Sequence, residues 1–238
     1  MKQNLFRIMQ LSVLSASVLL ASACSGGRRA AASLQYITEE DVLSVKLPEV
    51  PQAGSALFES DFKTLHEWQG TRTDDECNMA QKDVNYDFRN IFPKLKSFYE
   101  NLPEVNREFL DSVGEETRLS IRIAQEKYNR RRPYVTDPTL LPCIDKPSKK
   151  NYSYPSGHAT MARVYALLLT ELMPGRRAEF LTRADNYGRN RIIGGIHHPT
   201  DIEAGRRFAN ALFARYMQNK LFRANLNNLR QYLPKNKI

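Results

Sequence analysis

Several residue types are scarce in this chain of 238 residues, and each scarcity narrows its function. There are three cysteines (Cys24, Cys77, Cys143), four histidines and one tryptophan. Three cysteines cannot build a disulfide-dense scaffold or a zinc site held by four thiolates. No stretch alternates apolar and polar residues with period two, so no strand pattern stands out, and no internal repeat appears. Beyond the first residues no apolar run approaches the ~18 to 20 residues that span a bilayer. The nearest run, from Ala159 to Met173, is interrupted by Arg163. Basic residues exceed acidic ones, with a formal charge of +9. They are scattered among acids, however, and no nucleic-acid module accompanies them; an anionic small molecule is the simpler partner.

The first residues read as a targeting segment. Lys2 and Arg7 precede the apolar run IMQLSVLSASVLLA, which closes on the small residues of ASAC. Residues 1–23 are therefore read as a signal peptide, and 24–36 as a flexible tether before a single catalytic domain over 37–238. Ala21-Ser22-Ala23 suits an ordinary signal peptidase, while small residues directly before Cys24 resemble a bacterial lipoprotein box. Both readings place the domain in the periplasm; the second anchors it to the outer membrane through a lipid on Cys24, its only membrane attachment. Lipidation would leave Cys77 and Cys143 as an even pair in an oxidising compartment, either as a disulfide or as two buried thiols.

Tyr36 to Ser55 contains LPEVPQAGS, whose prolines mark an extended leading segment rather than a helix. From Ala56 onward apolar residues recur at spacings of three and four. They do so in ALFESDFKTLHEW, NREFLDSVGEETRLSIRIAQEKYNR, GHATMARVYALLLTEL, RAEFLTRADNYGRNRII and DIEAGRRFANALFARYMQNKLF. The pattern predicts an all-α, single-domain bundle of six to eight helices, with Trp68 in its core.

Three junctions between loops and helices carry unusual polar residues. In PSGH, Ser156 can cap the following helix, Gly157 lets a ligand approach the backbone, and His158 falls in the first turn. In NRIIGGIHHPTD, Arg191, His197 and Asp201 form R-x5-H-x3-D. Asp201 can fix one imidazole nitrogen of His197 and leave the other as a lone pair, with Gly194-Gly195 turning Arg191 and His197 toward one pocket. In NRRRPY, Arg132-Pro133 closes a long helix and projects a guanidinium suited to phosphate oxygens.

The order R-P, then P-S-G-H, then R-x5-H-x3-D resembles the type 2 phosphatidic acid phosphatase and vanadium haloperoxidase superfamily. The leader and the segment LPEVPQAGSALFESDFKTLHEWQGTRTDDECNMAQKD are similar to the secreted bacterial class A non-specific acid phosphatases. The resemblance spans about Leu47 to Phe213. It implies a helical bundle of that superfamily's kind, a phosphohistidine formed on His197 and oriented by Asp201, and His158 protonating the leaving alcohol. Arg132, Arg191, Ser156 and Gly157 would hold the phosphoryl oxygens, with no metal and no cofactor. The partner would be a small phosphomonoester, with a homo-oligomer left open.

Two positions depart from that pattern. Gln125 stands where the family has lysine, and Lys127, two residues on, points about 200° away around a helix. Gln125 can donate only a neutral hydrogen bond, so weaker phosphate stabilisation is expected unless Arg130 or Arg131 compensates. Asn190 replaces the usual serine before Arg191. The same site could instead serve lipid phosphates or pyrophosphates, hold vanadate as a haloperoxidase, or bind anions without catalysis in a surface lipoprotein.

Overall fold

In a computed structural model that describes residues 34–147 and 152–233, these residues form helices joined by loops, with no strand among them. The signal peptide and Cys24 lie outside the described residues. The first three helices are α1 (Glu39–Ser44), α2 (Ala56–Thr71) and α3 (Asp74–Lys82). The short α4 (Phe88–Ile91) and α5 (Lys96–Glu100) lead to the longest, α6 (Glu104–Tyr128), and a single turn, α7 (Pro133–Thr136). The last four are α8 (Gly157–Leu172), α9 (Arg177–Ile193), α10 (Pro199–Gln218) and α11 (Lys220–Arg230).

The boundaries have local causes. Ser55 accepts from Phe58 N–H to start α2, and Thr73 with Glu76 forms a capping box that starts α3. A similar box, Thr38 with Asp41, starts α1 inside the segment expected to be extended. That expectation fails because the capping box precedes the prolines. The run predicted to continue to Phe222 breaks at Asn219, whose side chain accepts from Phe222 N–H and begins α11 anew.

The apolar sequence of α8 explains its position. Twelve of its residues are buried, and it packs against α6, α9, α10 and α11. Gly205 on α10 lets that helix approach α8 closely: a Cβ there would lie 2.7 Å from the Ser156 carbonyl oxygen. The three functional junctions are thereby drawn to one end of the bundle.

Two sequence expectations are corrected at the edges of the core. Tyr36, assigned to the tether, is buried in the core among Phe109, Tyr216 and Phe222. The carboxylate of Glu116 accepts from the backbone N–H groups of Gln35, Tyr36 and Ile37 at 2.8 to 3.1 Å. The fold therefore begins before residue 37. Trp68 is only half-buried, because the inward face of α2 is taken by Asp61, Phe62 and Leu65.

Cys77 on α3 and Cys143 are joined by a disulfide, with their Cα atoms 5.8 Å apart. The bond ties α3 to the loop before the first histidine motif.

Candidate active site

The chain leaves α6 earlier than the sequence suggests. Asn129 takes a left-handed conformation (φ 49°), a geometry that asparagine tolerates, and ends the helix at Tyr128. Arg132 is then extended, and Pro133 opens α7. The turn buries Arg132 rather than leaving it at the end of a continuous helix. Its Nη1 donates to the Ile196 carbonyl at 3.0 Å and lies 2.7 Å from Nε2 of His197.

At the end of α9, Gly195 adopts φ +76°, and the following residues fold back so that the N–H groups of Ile196 and His197 both bond to the Arg191 carbonyl. Arg191 and His197 thus face one cavity of about 300 Å3, together with Arg132, His158, Gly157 and Gln125. The Arg191 guanidinium is buried and donates from Nη2 to the Ala80 carbonyl, while Nε and Nη1 have no hydrogen-bond partner. Burial lowers the pKa of both Arg132 and Arg191 to about 10, which leaves each charged at neutral pH.

Asp201 is the hub behind His197. Its Oδ2 lies 3.3 Å from His197 Nδ1 and accepts from Ser153 Oγ at 2.5 Å. The same oxygen is 2.9 Å from His198 Nδ1 and accepts from the His198 backbone N–H at 2.8 Å. Oδ1 accepts from Arg130 at 2.6 Å. Burial opposes the charge on Asp201, but the surrounding histidines and Arg130 outweigh it and hold the carboxyl well below its usual range. His198 is therefore the second imidazole on one carboxylate, wedged against the Phe62 ring.

Arg130 does not compensate for Gln125. It is buried between two carboxylates, donating to Asp61 at 2.8 Å as well as to Asp201. Asp61 in turn accepts from the Thr200 N–H and hydroxyl. Arg131 is exposed and is not among the residues lining the cavity. Lys127 turns away and donates to the Leu43 carbonyl. Gln125 itself is buried and donates from Nε2 to the Pro155 carbonyl at 3.0 Å, so one of its two amide N–H groups secures the PSGH loop.

Ser156 is fully buried and does not line the cavity. Its hydroxyl accepts from Ala159 N–H, and its own N–H bonds to the Asp201 carbonyl at 2.9 Å. It caps α8 and joins that helix to α10 instead of reaching toward an anion with its side chain. Gly157 and His158, the first residues of α8, do reach the cavity. His158 Nε2 lies 2.9 Å from the Val84 carbonyl, and its ring packs against Tyr86 and Tyr187. The Nε2 atom carries the proton that this carbonyl accepts.

Burial, followed by the charges of Arg191 and Arg132, pushes His158 well below the ordinary imidazole range. His197 falls to about 3, chiefly through burial and then through Arg132, against the opposing pull of Asp201. The site combines a neutral imidazole, two buried guanidinium groups and a second imidazole whose protonation an anion would favour.

Asn190 reaches across to Asp83 at 2.7 Å, and Arg183 pairs with the same carboxylate at 2.8 Å. The asparagine in place of serine therefore fixes α9 against α3 beside Arg191. Asp61, Arg130 and Ser153 were not legible as site residues, because their partners lie 48 to 71 residues away in sequence.

In sequence the chain is similar to bacterial acid phosphatases. A non-specific acid phosphatase from Providencia stuartii is 29% identical over 189 residues, covering 76% of each chain. That of Salmonella typhimurium is 36% identical over 112 residues, 46% of this chain and 45% of its own. An acid phosphatase from Zymomonas mobilis is 27% identical over 237 residues, covering 92% and 86%. Among solved structures, a bacterial vanadium-dependent iodoperoxidase superposes with a TM-score of 0.55 at 17% identity, over 74% of this chain and 52% of its own. A transmembrane PAP2-type phosphatidylglycerolphosphate phosphatase from Bacillus subtilis gives 0.51, also at 17% identity, over 78% and 91%. These two likenesses establish the helical fold alone. Residues 121–223, which contain all three junctions, match the PAP2 superfamily. These residues form a PAP2 superfamily domain, and the chain that carries it is similar to bacterial non-specific acid phosphatases.

Proposed function

We propose that this phosphatase hydrolyses phosphomonoesters by a double displacement through a phosphohistidine on His197, without a metal ion. The observation that carries this reading is the pair of unpartnered donors on buried Arg191, Nε and Nη1, in the cavity that His197 lines. Buried donors without partners cost free energy, and the oxygens of a phosphoryl group would satisfy them.

Asp201 holds Nδ1–H of His197 and leaves Nε2 as the attacking lone pair. Because Arg132 donates to that nitrogen, an arriving phosphoryl group must draw the guanidinium onto its own oxygens. The P–Nε2 bond then forms as the ester P–O bond breaks, and His158, which gains a second proton on Nδ1 when the anion binds, gives that proton to the departing oxygen while its Nε2–H stays on the Val84 carbonyl. In the second half, water attacks phosphorus, His158 takes a proton from it, and the P–Nε2 bond breaks to release phosphate. Arg132, Arg191 and the first backbone N–H groups of α8 compensate the equatorial charge.

The leader read in the sequence supports action in the periplasm, with the domain tethered through lipidated Cys24. Intact mass of the mature protein tests the anchor. Phosphate release from an aryl phosphate tests the chemistry, with rapid quench to trap an acid-labile phosphoenzyme. Activity should persist after chelation and disappear in His197→Ala; a phosphoenzyme in His197→Ala would reject the assignment.

A further inference from the structure

The cavity extends beyond the phosphoryl end, and its outer wall is cationic. On α6, Arg118, Arg122 and Gln125 all line it. Arg118 and Gln125 are seven residues apart and so share a helix face two turns apart, with Arg122 between them. Gln125 is buried beside the PSGH loop, Arg118 is half-buried, and Arg122 is exposed. Lys146 lines the same cavity from the loop opposite.

Among the described residues, few neutralise these groups. Arg118 pairs with Glu115 at 3.0 Å and lies over the Tyr86 ring. Arg122 has no ion pair among the described residues, and Lys146 stands over the Tyr134 ring. Among the described residues the sole carboxylate on the lining, Asp145, is hydrogen-bonded through Oδ2 to Gln81 at 2.7 Å. Among the described residues lining the outer wall, Arg118, Arg122 and Lys146 stand against Asp145 alone, and of the three cations only Arg118 has an ion pair. Arg132 and Arg191 already serve the inner end.

We propose that Arg122 and Lys146, assisted by Arg118, form a subsite for a second anionic group on the substrate. The class favoured would be phosphomonoesters whose leaving group bears a carboxylate or another phosphate. Helical rise sets the separation, because Arg122 and Arg118 lie about 5 Å and about 10 Å along α6 from Gln125. The second anion would sit at a comparable distance from the scissile phosphorus. The exposure of Arg122 argues for this outer role over service at the transferred phosphoryl group, where the other cations are buried.

This inference rests on the phosphatase reading. Its test compares kcat/KM for phenyl phosphate and 4-carboxyphenyl phosphate in the mature protein, Arg122→Gln, Lys146→Gln and the double variant. The parent should prefer the carboxylate substrate. In the double variant, kcat/KM should fall about tenfold more for that substrate than for phenyl phosphate, and added salt should narrow the parent's preference. Equal losses on both substrates would assign these cations to the transferred phosphoryl group and overturn the subsite, as would an unchanged preference. Failure of the parent to hydrolyse either substrate would overturn the phosphatase reading and the subsite with it. Retention of the parent's Tm by each variant excludes unfolding as the cause of any loss.

Discussion

Arg132 donates from Nη1 to Nε2 of His197 across 2.7 Å, engaging the nitrogen proposed to attack phosphorus. Burial, and then the cation that would hold the substrate, keep that imidazole neutral. In the proposed mechanism, substrate binding and nucleophile release are one event, the transfer of a guanidinium from imidazole to phosphoryl oxygens.

Replacing Arg132 with Gln removes both effects. Inhibition by inorganic phosphate and vanadate should weaken by about 100-fold, consistent with loss of a charge-assisted, forked contact. His197 should also become more basic, because burial remains but the neighbouring positive charge is gone. The acid limb of kcat/KM should move to higher pH; a limb fixed in position would separate Arg132 from the nucleophile.

The pH profile itself should be bell-shaped and lie on the acid side. His197 must be neutral, and its pKa of about 3 sets a low acid limb. His158 must be protonated, and burial with the arginine charges places its loss of a proton well below 6.5 in the free protein. A constant rate between pH 4 and 8, after correction for substrate ionisation, would remove this pair from the mechanism.

Stability should follow the same groups. Both histidines bind protons more weakly when folded than when unfolded, so stability falls as pH drops below the unfolded value near 6.5. Asp201 has the opposite origin but the same direction: its contribution is present above its unfolded value of 3.8 and is lost as pH falls through its lower folded value. Tm measured from pH 7 to pH 3 should decline, and millimolar phosphate should raise it by binding the folded site.

Gln125→Lys places a charge where the protein has a neutral amide, next to Arg132 and the PSGH loop. We expect kcat/KM to rise about tenfold, the worth of one charge-assisted contact. Gln125→Met should leave the Pro155 carbonyl without its donor and cost about 1 to 3 kcal/mol by urea unfolding. An unchanged kcat/KM in Gln125→Lys would mean that the arginines already supply the full compensation.

Asp61→Asn should act at a distance from substrate. Arg130 would keep Asp201 but lose its second charged partner in a buried site, at a cost of about 3 to 5 kcal/mol. Chemical denaturation of the variant, read beside kcat and KM, separates this loss from any change in how Asp201 orients His197.

The sequence by itself determined the parts that depend on local order. Periodicity located α2, α6, α8 and α9, since a helix face repeats every 3.6 residues. The Ser156 cap, the Gly194-Gly195 turn and the spacing of Arg191, His197 and Asp201 are likewise properties of short segments. Where a signal was local but unrecognised, as in the Thr38 box or the break at Asn219, the boundary was misplaced by competing capping chemistry.

What only the tertiary structure decided is how distant charges are paired. Nothing in the motif around Arg130 marks it as a buried link between Asp61 and Asp201, yet its two neighbours, Asn129 and Arg131, are exposed. Gln125 turned from an absent charge into a support for the Pro155 carbonyl, and His198, to which the motif assigns no role, is a partner of Asp201. The physical reason is burial: a charged or polar group removed from water must find its counterpart wherever the packed helices bring one, and that choice is not written in neighbouring residues.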